Sequence, residues 1–344
     1  MDSLQRVTAV VQGQQPDRPP VSFWYHFGPG RTAGPAAVEA HVRHVETYDL
    51  DFLKVMDDNR YPRPSVNGGV LVETRDLEKL TVLQGDEGSF GRQLELIAAL
   101  NRHFGGQLPM ATTLFNAWST LRQMAVPDTG QHGPGTLARE ENDPRDQALN
   151  RWLREAPELL QSALDVVAKS LGNYARQCRA AGAQGVFLSV RDDQVDTESN
   201  GVGTYDRFVR SSDLEILAGA TATDSANPAS GTGTLSLNIL HVCGRPQNFA
   251  RFTEYPVEAI NWADRSAGPA IAEVAGRIRP ALCAGVDHLH TLLSGSPDDC
   301  RAEVLDAVQA AAGHPLLIAP GCTYDPQNVP PENLHAVRRA VESF

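Results

Sequence analysis

Short apolar runs rich in Val, Ile, Leu and Phe alternate along the chain with longer stretches whose apolar residues recur at helical spacing, the pattern of parallel βα units. Eight runs read as strands: PPVSFWYHF (19–27), DFLKVMDDN (51–59), LPMATTLFNAW (108–118), QGVFLSVRDD (184–193), LSLNILHVCG (235–244), VEAINWADR (257–265), ALCAGVD (281–287) and PLLIAPGC (315–322). Helical spacing covers 35–48, 118–126, 145–181, 205–219, 246–254, 269–278, 298–312 and 331–343. The last of these opens with PPEN, proline standing where a first turn tolerates it. Eight strands, each followed by a helix, within 344 residues predict an α/β chain folded as a (β/α)8 TIM barrel. No composition shift marks a boundary, so one domain over 1–344 is expected; a doubly wound open sheet is the alternative fold. The Gly-, Pro- and charge-rich segment 126–147 reads as a surface excursion, with a lid as one role for it.

In such a barrel the C-terminal strand ends converge on one mouth, so the last residues of each strand are the ones to inspect. They are Tyr25 and His26 with Arg31 just beyond, then Asp57, Asp58 and Asn59, Asn116 and Trp118, and Arg191, Asp192 and Asp193. Next come His241 and Cys243, Asn261, Trp262 and Asp264, Asp287 and His288, and finally Cys322. Strand-to-helix loops are polar in any barrel, so this pile-up alone does not assign a role.

Composition narrows the partners. A net charge of −12 and a pI near 5.3, with no cluster of basic residues, argue against nucleic acid. The longest apolar stretches fall short of the roughly 20 residues a membrane helix needs, and the polar N-terminus lacks the layout of a signal peptide. A soluble cytoplasmic protein without membrane association is therefore expected. Five scattered cysteines (178, 243, 283, 300 and 322) point to reduced thiols rather than a disulfide framework.

Three of the strand-end residues are the donors zinc prefers. His241 and Cys243 are two positions apart in a strand and so share a face, and Cys322 follows 79 residues later at the end of the last predicted strand. Three protein donors leave the fourth tetrahedral position open to a substrate. Free cysteine is also a common buried apolar residue, which is the reading for Cys283; Cys178 and Cys300, on predicted helices, read as incidental.

The opening RVTAVVQGQQPDRPPVSFW, the LHVCG of the fifth strand, PALCAGVD, SGSPDDCRAEV and the ending LIAPGCTYDPQNVPPENLHAVRRAV together resemble the uroporphyrinogen decarboxylase superfamily. The resemblance runs over nearly the whole chain and implies a (β/α)8 barrel. The superfamily has a branch of porphyrinogen decarboxylases and a branch of zinc-dependent methyltransferases that move a methyl group between a corrinoid and a thiol. Decarboxylases typically carry an arginine-rich MRQAGRY segment after the first strand and a histidine in a GHG near the last. This chain has WYHFGPGRT, where Arg31 is the only matching cation, and GCT, where Cys322 stands in the histidine's place. A substrate with many carboxylates needs several fixed guanidinium partners, so the decarboxylase reading is weakened.

The methyltransferase branch carries an H-x-C and a later Cys as zinc ligands, which match His241, Cys243 and Cys322. The resemblance thus implies Zn2+ on those three residues, a small-molecule thiol as acceptor, and a corrinoid supplied in trans by a partner corrinoid protein, since no D-x-H-x-x-G motif occurs in this chain. It also places a candidate catalytic carboxylate at Asp57 or Asp58 and favours a homodimer. Asp264, Glu258 or Asp57 could add a fourth or supporting ligand, and Arg31, Arg60, Arg191 and Arg265 could anchor an anion. Tyr25, His26, Arg31, Trp262 and His288 are the candidate substrate-binding residues. Two further readings stay open: a decarboxylase organised by Asp57 or Asp58, and a noncatalytic tetrapyrrole- or corrinoid-binding barrel.

Overall fold

The computed structural model describes residues 1–128, 133–138, 140, 142–221 and 235–344. Seven strands form one parallel sheet in chain order: β1 (Leu53–Val55), β2 (Met110–Phe115), β3 (Gly185–Val190), β4 (Ile239–Val242), β5 (Ala259–Trp262), β6 (Ala281–Val286) and β7 (Leu316–Pro320). Each lies inside a run expected from the sequence. The expected first strand, 19–27, contributes a single bridge, Val21 to Ile318 of β7. Ser22 N donates to Ile318 O (3.1 Å), Ile318 N to Pro20 O (2.8 Å), and Asp51 N to Val21 O (2.9 Å). Pro19 and Pro20 have no N–H to give a ladder, which limits pairing on that side. The segment is tied down instead by Asp51, a buried carboxylate that accepts from Val21 N (2.9 Å), Arg6 Nη1 (2.7 Å) and Arg18 Nη1 (2.6 Å).

The helices are α1 (Ser3–Val11), α2 (Gly34–Tyr48), α3 (Ser89–His103), α4 (Ala117–Met124), α5 (Pro144–Glu155), α6 (Pro157–Ala180), α7 (Thr204–Phe208), α8 (Arg210–Thr221), α9 (Ile271–Val274), α10 (Thr291–Ser294), α11 (Pro297–Ala311) and α12 (Pro331–Ala340). The single helix expected over 145–181 is two, because the residue before a proline is pushed out of the α region and Ala156 accordingly sits at φ −151°. The helix expected over 246–254 is a 3-10 segment, Phe249–Glu254, and that over 269–278 shrinks to α9. Helices α1 and α3 were not expected. Of the excursion expected over 126–147, residues 144 onward are helical, and 129–132, 139 and 141 lie outside the described residues. Among the described residues no helix is long and apolar enough to cross a membrane.

Two apolar clusters follow from strand alternation. Leu240, Ile260, Trp262, Leu282 and Ile318 face the helices, whereas Ile239, Ala259, Cys283, Leu317 and Phe187 face inward with Trp24. Helix α1 adds Val7 and Val10 to the inward cluster beside Leu235 and Leu237, which precede β4 and so lie toward the strands' N-terminal ends. One end of the inner space is thus filled with apolar side chains. The other is polar.

Gly321 lets β7 deliver the following Cys322, because a Cβ there would lie 2.4 Å from Ala263 Cα, which is backbone and cannot rotate away. Gly321→Ala is expected to cost about 1–3 kcal/mol in urea unfolding; an unchanged midpoint would refute this close approach.

Candidate metal centre

Residue 241 is the inward position of β4, residue 242 the outward one, and Cys243 turns inward again as its N–H extends the ladder to Val190 O (2.9 Å). Cys322 arrives from the end of β7. One donor atom from each of His241, Cys243 and Cys322 lies within 4.8 Å of the others, and among the described residues this is the group so arranged. Cys322 Sγ stands 3.5 Å from His241 Nε2. All five cysteines are free thiols; Cys178 and Cys300 are buried on α6 and α11, and Cys283 is buried in the inner apolar cluster, as expected.

The histidine's tautomer follows from its neighbour. Asn261, fully buried on the inward face of β5, points its Nδ2 at two carbonyls, Cys283 O (2.6 Å) and Pro320 O (3.0 Å). Carbonyls only accept, so the amide nitrogen must face them and Oδ1 is left as the acceptor for His241 Nδ1–H at 2.6 Å. Nε2 then carries a lone pair toward the sulfurs, the state a metal ligand requires.

The two thiols are displaced in opposite directions. A hydrogen bond from Cys243, with the neighbouring His241 and His288, holds Cys322 well below the ordinary thiol range. Cys243 is held well above it, chiefly by that same hydrogen bond and by burial. His288 is buried, and among the described residues both its ring nitrogens lack a hydrogen-bond partner. Its pKa is lowered by burial, against the pull of Cys322. The Arg191 guanidinium, also close enough to act electrostatically on Cys243, is bound to Asp193 (2.8 Å).

The excursion reaches this cluster. Gly135 N donates to Thr323 O (2.8 Å), and a Cβ on Gly135 would fall 2.4 Å from Cys322 Sγ, so only glycine lets the main chain pass there. Arg191 Nη2 donates to Ala138 O (3.2 Å).

The other expected residues divide by strand alternation. Asp58 faces inward and accepts from His26 Nδ1 at 2.7 Å. Asp57 faces outward, accepting from Tyr174 Oη (2.8 Å) and Asn59 N (3.0 Å), and lines a small cavity with Tyr61, Phe90 and Thr113. Burial raises it to about 6. Tyr25 and Arg31 line a different pocket against α2, with Arg43 and Tyr48, and the Tyr25 ring packs tilted against Phe27 and Tyr324 and edge-on to His44. Trp262 is on the outward face, fully buried against Phe249 with Nε1 donating to Pro269 O. Tyr25, Arg31 and Trp262 are therefore not gathered with the cysteines; Asn261, one residue before Trp262, is. Glu258 precedes β5 and accepts from Asn238 N, at the far end of the strands from Cys243. Asp264 is engaged by Gly285 N and Arg265, and burial raises it to about 6. None of Asp57, Glu258 and Asp264 joins the three-residue group.

Lys54, the inward residue of β1, was missed. It is 5% exposed, and its Nζ stands 4.3 Å from the Phe187 ring centroid and 5.5 Å from that of Trp24. Burial lowers it to about 8, opposed by Cys322, Asp58 and Cys243.

Asp57 gives a pH test. Between about pH 4 and 6 the folded chain keeps a proton that the unfolded chain has released, so its contribution to stability falls as pH rises through that window. Relative to the wild type, Asp57→Asn should gain about 1–2 kcal/mol in urea unfolding between pH 4 and 7; a flat difference would contradict the raised value.

The comparisons agree with this architecture. A methyltransferase from Methanosarcina mazei superposes with a TM-score of 0.70 at 18% identity, over 100% of this chain and 99% of that one, a likeness of fold. A B12-independent methionine synthase from Shewanella sp. W3-18-1 in complex with selenomethionine matches at 0.44 and 10% identity, over 73% of this chain and 66% of its own. A putative vitamin-B12 independent methionine synthase from Listeria monocytogenes matches at 0.44 and 11%, over 73% and 68%. At that score neither carries an argument. No curated protein matches the chain in sequence. The family model described as uroporphyrinogen decarboxylase (URO-D) matches residues 54–344, and the chain belongs to that family.

Proposed function

We propose that this chain is a zinc-dependent methyltransferase with a small-molecule thiol as acceptor and a corrinoid, carried in trans by a partner protein, as methyl donor. The carrying observation is the convergence of His241 Nε2, Cys243 Sγ and Cys322 Sγ. Around a tetrahedral zinc, sulfur and nitrogen donors stand roughly 3.6 Å apart, and Cys322 Sγ and His241 Nε2 are 3.5 Å apart. The residues therefore fit the ion. The URO-D family and a fold like that of the Methanosarcina methyltransferase support the same branch. A (β/α)8 barrel whose first strand is reduced to the bridge at Val21, and one domain over 1–344, belong to the same reading, as does a homodimer.

A bound zinc ion strips the proton from a thiol that joins it, and so supplies a sulfur nucleophile near neutral pH. The protein's own groups do the rest. Cys243 and Cys322 give two negative charges that offset the ion's. His241, fixed by Asn261, keeps its Nε2 lone pair directed at the site. The main chain at Gly135 covers Cys322 on one side. Three protein donors leave one position for the acceptor.

A decarboxylase would need several free guanidinium groups at the inner face. Arg31 lies in the α2 pocket, Arg191 is paired with Asp193, and Arg265 with Asp264 and Asp306.

Protein purified without chelator or polyhistidine tag should contain about one zinc per chain, lost in Cys322→Ala. Folded protein that neither carries nor takes up Zn2+ would sink the assignment. Asn261→Ala should weaken zinc about 10–100-fold in chelator competition, whereas Asn261→Asp, which keeps an acceptor for Nδ1–H, should hold it more tightly than the alanine variant. Equal affinities for all three proteins would remove Asn261 from the site.

A further inference from the structure

Lys54 poses an unsolved charge problem. It lies on the inner face of β1, 5% exposed, with its Nζ over the Phe187 and Trp24 rings, and among the described residues no hydrogen bond or ion pair engages that Nζ. The faces of Phe187 and Trp24 offset roughly 0.5–2 kcal/mol of the cost of holding a cation there. The Phe187 ring that it touches lies in turn against the His241 imidazole, centroids 5.2 Å apart and tilted by 31°. The groups that act on Lys54 electrostatically are Cys322, Asp58 and Cys243, and Asp58 is hydrogen-bonded to His26. Lys54 therefore stands one aromatic ring away from the donor cluster and, among the described residues, has no ion-pair partner.

Charge counting suggests what completes it. A dipositive ion with two cysteine thiolates is neutral, so adding a third sulfur anion leaves one negative charge at the site. We propose that Lys54 is the counter-charge that lets this site accept the acceptor as an anionic thiolate, making it a positioning residue that selects by the charge of the incoming sulfur. The inference rests on the zinc methyltransferase reading. In the binding step the S–H bond of the thiol breaks, both bonding electrons stay on sulfur, and one proton leaves to solvent.

The test uses the full chain loaded with Co2+, whose sulfur charge-transfer absorption reports both the cysteines and an added thiol. Wild type and Lys54→Met are titrated at pH 7 with 2-mercaptoethanol and, separately, with imidazole, a neutral ligand. Calorimetry in two buffers counts the protons released. The expected result is unchanged cobalt uptake and imidazole affinity in the variant, with thiol affinity lower by about tenfold or more and one proton released per thiol bound by the wild type. Equal weakening of both ligands would assign Lys54 a merely structural role, and no weakening of either would remove it from the site; both overturn the proposal. So does loss of cobalt uptake confined to folded variant. Folded wild type that takes up no cobalt would instead strike the metal assignment itself. Lys54→Gln, polar and similar in length, carries the same comparison if the methionine variant does not fold.

Discussion

The Asn261 amide donates twice and accepts once, and both donors are committed to main-chain carbonyls at β6 and β7. That commitment aims its oxygen at His241, and the oxygen decides which imidazole nitrogen carries the hydrogen. Four strands, β4 to β7, are thereby tied to one proton position. The bond is buried. Rotating the amide would leave two carbonyls unsatisfied and set an N–H against an N–H, a penalty of several kcal/mol. The site's electronic state is thus fixed by sheet geometry before any ligand arrives.

Much of this was readable in LSLNILHVCG and PLLIAPGC, because strand alternation makes an H-x-C spacing a statement about direction. The same rule, carried one strand further, separates Asn261 from Trp262 and Asp58 from Asp57. What the sequence lacks is phase: an apolar run shows that a strand exists, but not which of two adjacent polar or aromatic residues faces inward, since parallel strands buried on both faces do not alternate in polarity. Lys54 was hidden for that reason, a charge inside DFLKVMDD that looks like an interruption of the strand rather than an inward residue. The missing first strand has a different cause. Its apolar pattern is strand-like, yet Pro19 and Pro20 cannot donate, and pairing depends on donors as well as on side chains. The break at Ala156 was visible in EAPEL, where proline forbids the continuity that the periodicity suggests.

The inner space shows how one fold can serve opposite demands. Toward the strands' N-terminal ends, α1 seals it with Val7 and Val10 against Leu235 and Leu237. Toward the other end it gathers ionisable groups whose pKa values are displaced in opposite directions by burial and by one another: Cys322 down, Cys243 up, Lys54 down. Displaced values concentrated at one place are a mark of chemistry. The large outward cluster, with Trp262 and Trp118 in it, carries the structural burden, so the polar end need not.

The covering of Cys322 by Gly135 has a kinetic meaning. Side-chain shutters open by rotamer hops on the picosecond to nanosecond scale, but here the obstruction is a peptide unit pinned by its own N–H to the carbonyl of Thr323. On that side the sulfur becomes reachable only when the Gly135–Thr323 main-chain hydrogen bond breaks. A reagent approaching from there would meet peptide backbone held by a hydrogen bond, and not a side chain that can swing aside.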